Sequence, residues 1–323
     1  VIGPEQLAAG ERAEAAGDYL AAAAAYRSVT GVANADLAAE AYFRLGRVTW
    51  RQGRFDLALS SFENARALAE RAGALALLSR IENGVGAVHY ARGDYAAARR
   101  AYALAESGTA DPVMRGKITI NLGVIENIEG NAQGALDHYE RAYQLLTASG
   151  DMESAMLAVH NRGMAEADLG RWDEADASFQ TAFSLASQAS NQEMVAKTLV
   201  NRSEVLSERG ALAEAVEHCD RALSIYAYVG DEVGRGEALR WRAHALARSG
   251  EHAAAERDAT EALHIAVRAG AKLLEAEAAR DLGLLRRAQG DRESAQKLLQ
   301  RAAMLFTEIG ARREAREVGA LLG

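Results

Sequence analysis

The feature that most constrains this chain is a layout that returns eight times. A turn glycine stands at Gly17, Gly53, Gly93, Gly130, Gly170, Gly210, Gly250 and Gly290, at spacings of 36, 40, 37, 40, 40, 40 and 40 residues. Five residues after each stands alanine: Ala22, Ala58, Ala98, Ala135, Ala175, Ala215, Ala255 and Ala295. Nine after come Tyr26, Phe62, Tyr102, Tyr139, Phe179, Cys219, Ala259 and Leu299, and twelve after come Val29 and then seven alanines, Ala65 to Ala302. Offsets of 5, 9 and 12 lie on one face of a helix. Seven before the glycine the residue is small: Gly10, Gly46, Gly86, Gly123, Gly163, Ser203, Ala243 and Gly283. A glycine inside a helix costs about 0.5–1 kcal/mol against alanine. Something must offset that cost in six copies, and close approach of a second helix backbone is the expected reason. Each copy therefore reads as helix, turn at glycine, helix.

A fixed period in this range means a solenoid in which each unit contacts only its neighbours. The series of small residue, turn glycine, aromatic, alanine, aromatic, alanine resembles the tetratricopeptide repeat over about residues 3–310. The common repeat has about 34 residues, whereas this one mostly has 40 and is similar to the longer variety. The proline that closes each repeat in the family is absent. Gly73, Gly150, Gly230, Gly270 and Gly310 stand there instead, suited to helix C-termini. The expected fold is all-α: a right-handed α-solenoid superhelix of eight helix-turn-helix repeats forming one domain over 1–323. Its repeats run at about 4–30, 36–72, 75–107, 113–149, 151–189, 192–229, 231–269 and 271–309. Residues 311–323 form a capping helix in which Val318, Leu321 and Leu322 cover the last repeat. Asp151, Asn191 and Asp231 are candidate helix N-caps. The stretch 107–113, with Gly108 and Pro112, is the clearest break.

Composition narrows the function. A formal charge of −8 argues against direct nucleic-acid binding. No apolar run approaches the length that spans a bilayer, so no membrane partner is expected. The single cysteine, Cys219, excludes an intramolecular disulfide framework and reads as a small buried hydrophobe. No signal peptide is visible, and a cytoplasmic location is the expectation. The chain begins at Val1 and not at methionine, which keeps open that it is a piece of a longer regulator. The seven histidines form no metal-ligand pair on a helical face, and no HExxH or phosphate-binding glycine loop occurs. Neither a cofactor nor a catalytic or metal site is expected.

The resemblance implies a concave groove lined by the first helix of each pair, at positions three, six, nine, ten and thirteen before the turn glycine. In the family this groove binds peptides or helices, and in some longer-repeat members it senses a small molecule or peptide. Nine before the glycine, Asn121, Asn161 and Asn201 form a ladder on three successive repeats. An amide that donates and accepts suits a peptide backbone; the alternative is that these side chains bridge neighbouring helices or hold water. Arg44, Arg47, Trp50, Arg51, Arg80 and Tyr90 gather in the second and third repeats, and Arg240, Trp241, His244, Arg248, Arg280 and Arg287 in the seventh and eighth. Arginines on the inner wall suggest an acidic or carboxylate-bearing partner. The alternative is that they pair with Glu40, Glu204, Glu237 and Glu277. The family's carboxylate clamp lacks its basic ends here, which argues against a chaperone-tail adaptor. Eight before the glycine the family has leucine, but repeats five to seven carry Arg162, Arg202 and Arg242; Glu126 and Glu166 are the expected partners, each reaching the arginine of the next repeat. The leading functional reading is a non-enzymatic protein- or peptide-binding scaffold. The alternative is a ligand-sensing module of a larger signalling or transcriptional regulator, and an enzyme with its site in the groove ranks last. The sequence does not give an oligomeric state.

Overall fold

The computed structural model describes residues 2–322; Val1 and Gly323, the ends of the expected domain and cap, lie outside them. Among the described residues there are seventeen helices and no strand. They divide into two compact units, residues 1–158 and 159–323. The first holds α1 (Ile2–Ala15), α2 (Tyr19–Val29), α3 (Ala35–Arg51), α4 (Phe55–Ala72), α5 (Leu75–Ala91), α6 (Tyr95–Gly108), α7 (Pro112–Ile128) and α8 (Ala132–Ala148). The boundary falls inside α9 (Met152–Asp168). The second holds α10 (Trp172–Gln188), α11 (Gln192–Glu208), α12 (Leu212–Val229), α13 (Glu232–Arg248), α14 (His252–Ala269), α15 (Lys272–Ala288), α16 (Arg292–Glu308) and α17 (Arg312–Leu322). Within each unit the substantial helix packing joins helices one or two apart in order. That is a solenoid's neighbour-only packing.

The turns follow from residue chemistry. All eight turn glycines take positive φ, between 70° and 89°, a region that side chains with a Cβ rarely enter. Asp18, Asp94, Asn131 and Asp291 follow directly and accept the N–H of Ala21, Ala97, Gly134 and Ser294, capping the second helix. At repeat starts, Asp151, Asn191 and Asp231 cap the first helix by accepting from Ser154, Met194 and Gly234. Pro112 opens α7 behind its cap Asp111, where a missing N–H costs nothing. Gly73, Gly150, Gly230, Gly270 and Gly310 end helices at φ between 66° and 78°. The equivalent place after α10 is held by Ser190, at φ 55°, a non-glycine residue in the left-handed region.

The small residue before the turn has a different cause from the one expected. In five of the six glycine copies it makes room for a ring; at Gly283 a Cβ would meet Leu299 at 3.1 Å and the Ala295 carbonyl oxygen at 3.3 Å. A Cβ on Gly46 would lie 2.6 Å from the ring of Phe62; on Gly86, 2.4 Å from Tyr102; on Gly163, 2.9 Å from Phe179. Where the ring gives way to Cys219 or Ala259, the hole fills. Cys219 replaces the aromatic, and Ser203 the glycine, with Cys219 Sγ donating to Ser203 Oγ at 3.2 Å. Ala259 then faces this slot in the copy that carries Ala243, and both are buried. Burial pushes the Cys219 thiol up to about 12, as suits a residue packed as a small hydrophobe.

At the C-terminus α17 covers the apolar end of α15 and α16. Val318 is fully buried, and Ala311, Ala315 and Leu322 pack beside it. Leu321 does not; it is 36% exposed. The spacing 311, 315, 318, 322 is the helical face that touches, and 321 falls off it.

Candidate functional site

In the first unit the predicted groove residues gather on α3 and α5, but they are largely neutralised from within. Glu40 accepts from Arg44 Nε at 2.6 Å and from both terminal nitrogens of Arg80, at 3.1 and 3.2 Å. Arg44 also pairs with Glu11, and Arg47 with Glu14 at 2.9 Å. The Arg80 guanidinium lies 4.4 Å from the centre of the Phe43 ring. Burial would raise the Glu40 carboxyl, but Arg80 and Arg44 hold it below its ordinary value. Arg51 is exposed, donates to the Tyr19 hydroxyl at 3.1 Å and lies over that ring. Trp50 and Tyr90 are half-buried against neighbouring apolar clusters, Tyr90 with its ring 5.8 Å from that of Tyr95. Asn121 donates from Nδ2 to Asn83 Oδ1 at 3.2 Å, so this amide bridges adjacent first helices.

In the second unit Asn201 does the same through a residue that pattern reading passed over. His160, fully buried, sits ten before its turn glycine. Its Nε2 accepts from Asn201 Nδ2 at 3.2 Å, and its Nδ1 is 3.2 Å from Thr198 Oγ1. Since Nδ2 of an amide only donates, Nε2 is the bare nitrogen and Nδ1 carries the proton, which goes to Thr198. Burial drives His160 down to about 3, so the ring is neutral. Asn161 is half-buried and has no hydrogen-bond partner among the described residues.

Of the arginines eight before the glycine, Arg202 and Arg242 are held by aspartates, and Arg202 does not pair with the expected Glu166. Arg202 Nε pairs with Asp176 of α10 at 2.5 Å; Arg242 pairs with Asp258 of α14 at 2.7 Å and Asp220 of α12 at 2.5 Å. Arg162 donates to Ser178 of α10 at 3.1 Å. Glu126 instead pairs with Arg99 and accepts from Asn131, and Glu166 meets Arg162 of its own helix at 3.6 Å. The reason is facing. Position −8 turns toward the second helices, so second helices supply the partners.

The seventh and eighth repeats form a concave feature that combines an apolar floor with charge. A cavity of about 500 Å3 opens between α13 and α15. Arg240, Ala243, His244 and Ala247 line it from α13, and Asp281, Leu284, Leu285 and Ala288 from α15. Arg240 is 7% exposed, with Asp281 at 3.0 Å and Glu277 at 3.5 Å. Burial would lower the Arg240 guanidinium, but Glu277 and Asp281 carry it up. Its charge is thereby taken, yet its Nε has no hydrogen-bond partner. His244 Nε2 likewise has none; it stands 3.5 Å from Glu208, which pairs with Arg248 at 2.9 Å. Trp241 is half-buried, with the Arg240 guanidinium 4.5 Å from its ring centre and His244 against its edge. Arg280 pairs with Asp281 at 2.8 Å. The groove positions therefore bring Arg240, His244 and Arg248 together. Leu284 and Ala247 also fall on groove positions, six and three before their glycines, but apolar side chains in a helix carry no signal that separates pocket from core. The acidic partner was inferred from free arginines. Of the eight named arginines all but Arg51 and Arg287, which donates to the Leu321 carbonyl, have internal carboxylates, so that inference loses most of its footing.

Among the described residues no group of three or more His, Cys, Asp or Glu is placed to hold a metal, and no helix is long and apolar enough to cross a membrane. The geometry defines a helical-repeat protein of the α-solenoid class, with a pocket between successive first helices.

Comparison with known proteins carries this one step further. A family model described as a MalT-like TPR region matches residues 96–233, and a tetratricopeptide-repeat model matches residues 37–107. No curated protein matches by sequence. Among solved structures, the fold is similar to apo RapI, with a TM-score of 0.71 at 13% identity over 86% of this chain and 99% of that one. It is also similar to a Rap protein complexed with competence and sporulation factor, with a TM-score of 0.66 at 13% identity over 99% and 96%. A third likeness is to a signal-transduction ATPase with numerous domains that carries a tetratricopeptide-repeat sensor, from Pyrococcus horikoshii. There the TM-score is 0.69 at 13% identity over 93% of this chain and 47% of that one. The two models together span residues 37–233, and the chain is a tetratricopeptide-repeat protein.

Proposed function

We propose that the chain is a non-catalytic scaffold that binds a peptide or protein segment along its first helices, with the α13–α15 cavity as the principal anchor point. The observation that carries this reading is the pairing of an apolar floor with two buried nitrogens, Arg240 Nε and His244 Nε2, that lack hydrogen-bond partners. A buried donor without an acceptor costs about 1–3 kcal/mol, and a backbone carbonyl entering the cavity removes that cost. Asn161 adds an open amide in the same unit. Asn201 turns its Nδ2 inward to His160, so its oxygen is left to accept from a partner.

A random displayed-peptide library selected on the whole chain tests the proposal. Ala247→Trp fills the cavity and Asn161→Ala with Asn201→Ala removes two amides. Selected peptides lose binding at least about tenfold on the first change and severalfold on the second, in line with loss of a central contact against loss of single hydrogen bonds. Peptides indifferent to Ala247→Trp would defeat the reading.

A second reading is a sensing module within a longer regulator. The fold likeness to the sensor-bearing ATPase is in keeping with it. The two readings share the cavity and differ in what its occupation controls.

A further inference from the structure

We propose that the α13–α15 cavity and the carboxylates beside it take a segment in which an apolar side chain adjoins a lysine or arginine. This rests on the peptide-binding reading above and reverses the sign of partner that the arginines suggested.

The argument is one of unmatched charge next to an apolar floor. Glu204 on α11 and Glu237 on α13 are both half-buried, and neither has a hydrogen bond or ion pair among the described residues. The cation they share is Arg240, which Glu277 and Asp281 already engage. Arg248, the other arginine at the cavity, is engaged by Glu208. Lys197 also acts on Glu237, but from beyond ion-pairing distance, so neither carboxyl has a cation in direct contact. Burial raises both, Glu204 to about 7. An ammonium or guanidinium brought against them supplies the missing countercharge, while an acidic group meets repulsion from Glu204, Glu208, Glu237 and Glu277. Glu204 stands one turn before Glu208 on α11, and Glu208 lies 3.5 Å from His244 of the cavity wall; Glu237 stands one turn before Arg240 on α13, which also lines the cavity. The cationic and apolar subsites therefore lie side by side. Leu284, Leu285 and Ala247 then hold the neighbouring apolar side chain, and Arg240 Nε donates to the carbonyl between the two. All of this lies on the first-helix face of one unit.

Two fluorescein-labelled synthetic peptides of equal length test it on the full chain by fluorescence anisotropy. One alternates leucine with arginine and the other leucine with glutamate, and both have blocked termini. The leucine–arginine peptide is expected to bind at least about tenfold tighter. Glu204→Gln with Glu237→Gln should cut that preference severalfold, and Ala247→Trp should abolish binding of the preferred peptide. If the double variant does not fold, Glu237→Gln alone is read the same way. Equal or tighter binding of the leucine–glutamate peptide, or a preference untouched by the glutamine variants, overturns this inference and leaves the peptide-binding reading standing. Retained binding in Ala247→Trp overturns the placement. Absence of binding by both peptides overturns the inference; if the displayed library also yields nothing that depends on Ala247, the broader reading falls with it.

Discussion

Ser190 carries the clearest strain at the scale of one residue. Its φ of 55° places a Cβ in the left-handed region, where Gly150, Gly230, Gly270 and Gly310 occupy the matching positions of other repeats. Such a backbone costs about 1–2 kcal/mol for a residue other than glycine. Ser190→Gly is therefore expected to raise stability, by up to about 1 kcal/mol after glycine's greater freedom in the unfolded chain is subtracted. Urea denaturation of the two proteins measures the difference, and an unchanged or lower midpoint would show that the serine is not strained. Asn201 makes the opposite point at the same scale. The ladder of amides is visible in the sequence, but its orientation is not. His160, buried and neutral behind it, holds the Nδ2 end, which leaves the oxygen facing out.

The contact between the helices of a pair is decided at the scale of the element. Glycine on the first helix and an aromatic on the second are hole and knob, as the 2.6 Å approach at Gly46 and Phe62 requires. Phe62 is also within 2.6 Å of where a Cβ on Gly84 would be, so one ring fits between two first helices, α3 and α5. Overpacking at such a site costs about 1–3 kcal/mol. Gly46→Ala is expected to destabilise by that amount despite alanine's better helix propensity. Adding Phe62→Leu should recover part of the loss, because a leucine side chain leaves the space that the methyl needs. A thermal melt of single and double variants checks this; a neutral Gly46→Ala would mean that the ring moves aside freely. The same rule explains why Ser203 appears opposite Cys219. Reading the two columns separately yields small residues and rings; only reading them together yields a fit.

Neighbour-only packing has a consequence at the scale of the whole molecule. When each hairpin touches only the next, damage stays near where it is made. Val318→Asp places a charge at a fully buried position of the core that α17 shares with the helices before it. Burying an unpaired charge is among the largest single-site penalties. Hydrogen exchange should then quicken across α15, α16 and α17, while the amides of α3 and α4 keep their protection. Equal acceleration in α3 and α4 would show that the chain unfolds as one cooperative body.

Repeat period, helix pairing, turn glycines and N-caps were legible because each is set within about four residues of backbone, where hydrogen-bond geometry admits few residue types. The cap was legible in position but not in its contact face: Ala311 and Ala315 touch, and Leu321 does not. Ion pairing was not legible. Arg202 and Arg242 find aspartates on second helices, and the groove arginines find Glu40, Asp281 and their neighbours, because long side chains choose partners by distance in space. The sequence by itself determined that this chain is a row of helix hairpins with small residues where they meet. Only the tertiary structure decided which polar groups are spent on one another and which, such as Arg240 Nε and the carboxyl of Glu204, are left over, because that depends on the separation between residues some 40 positions apart, as Arg240 and Asp281 are.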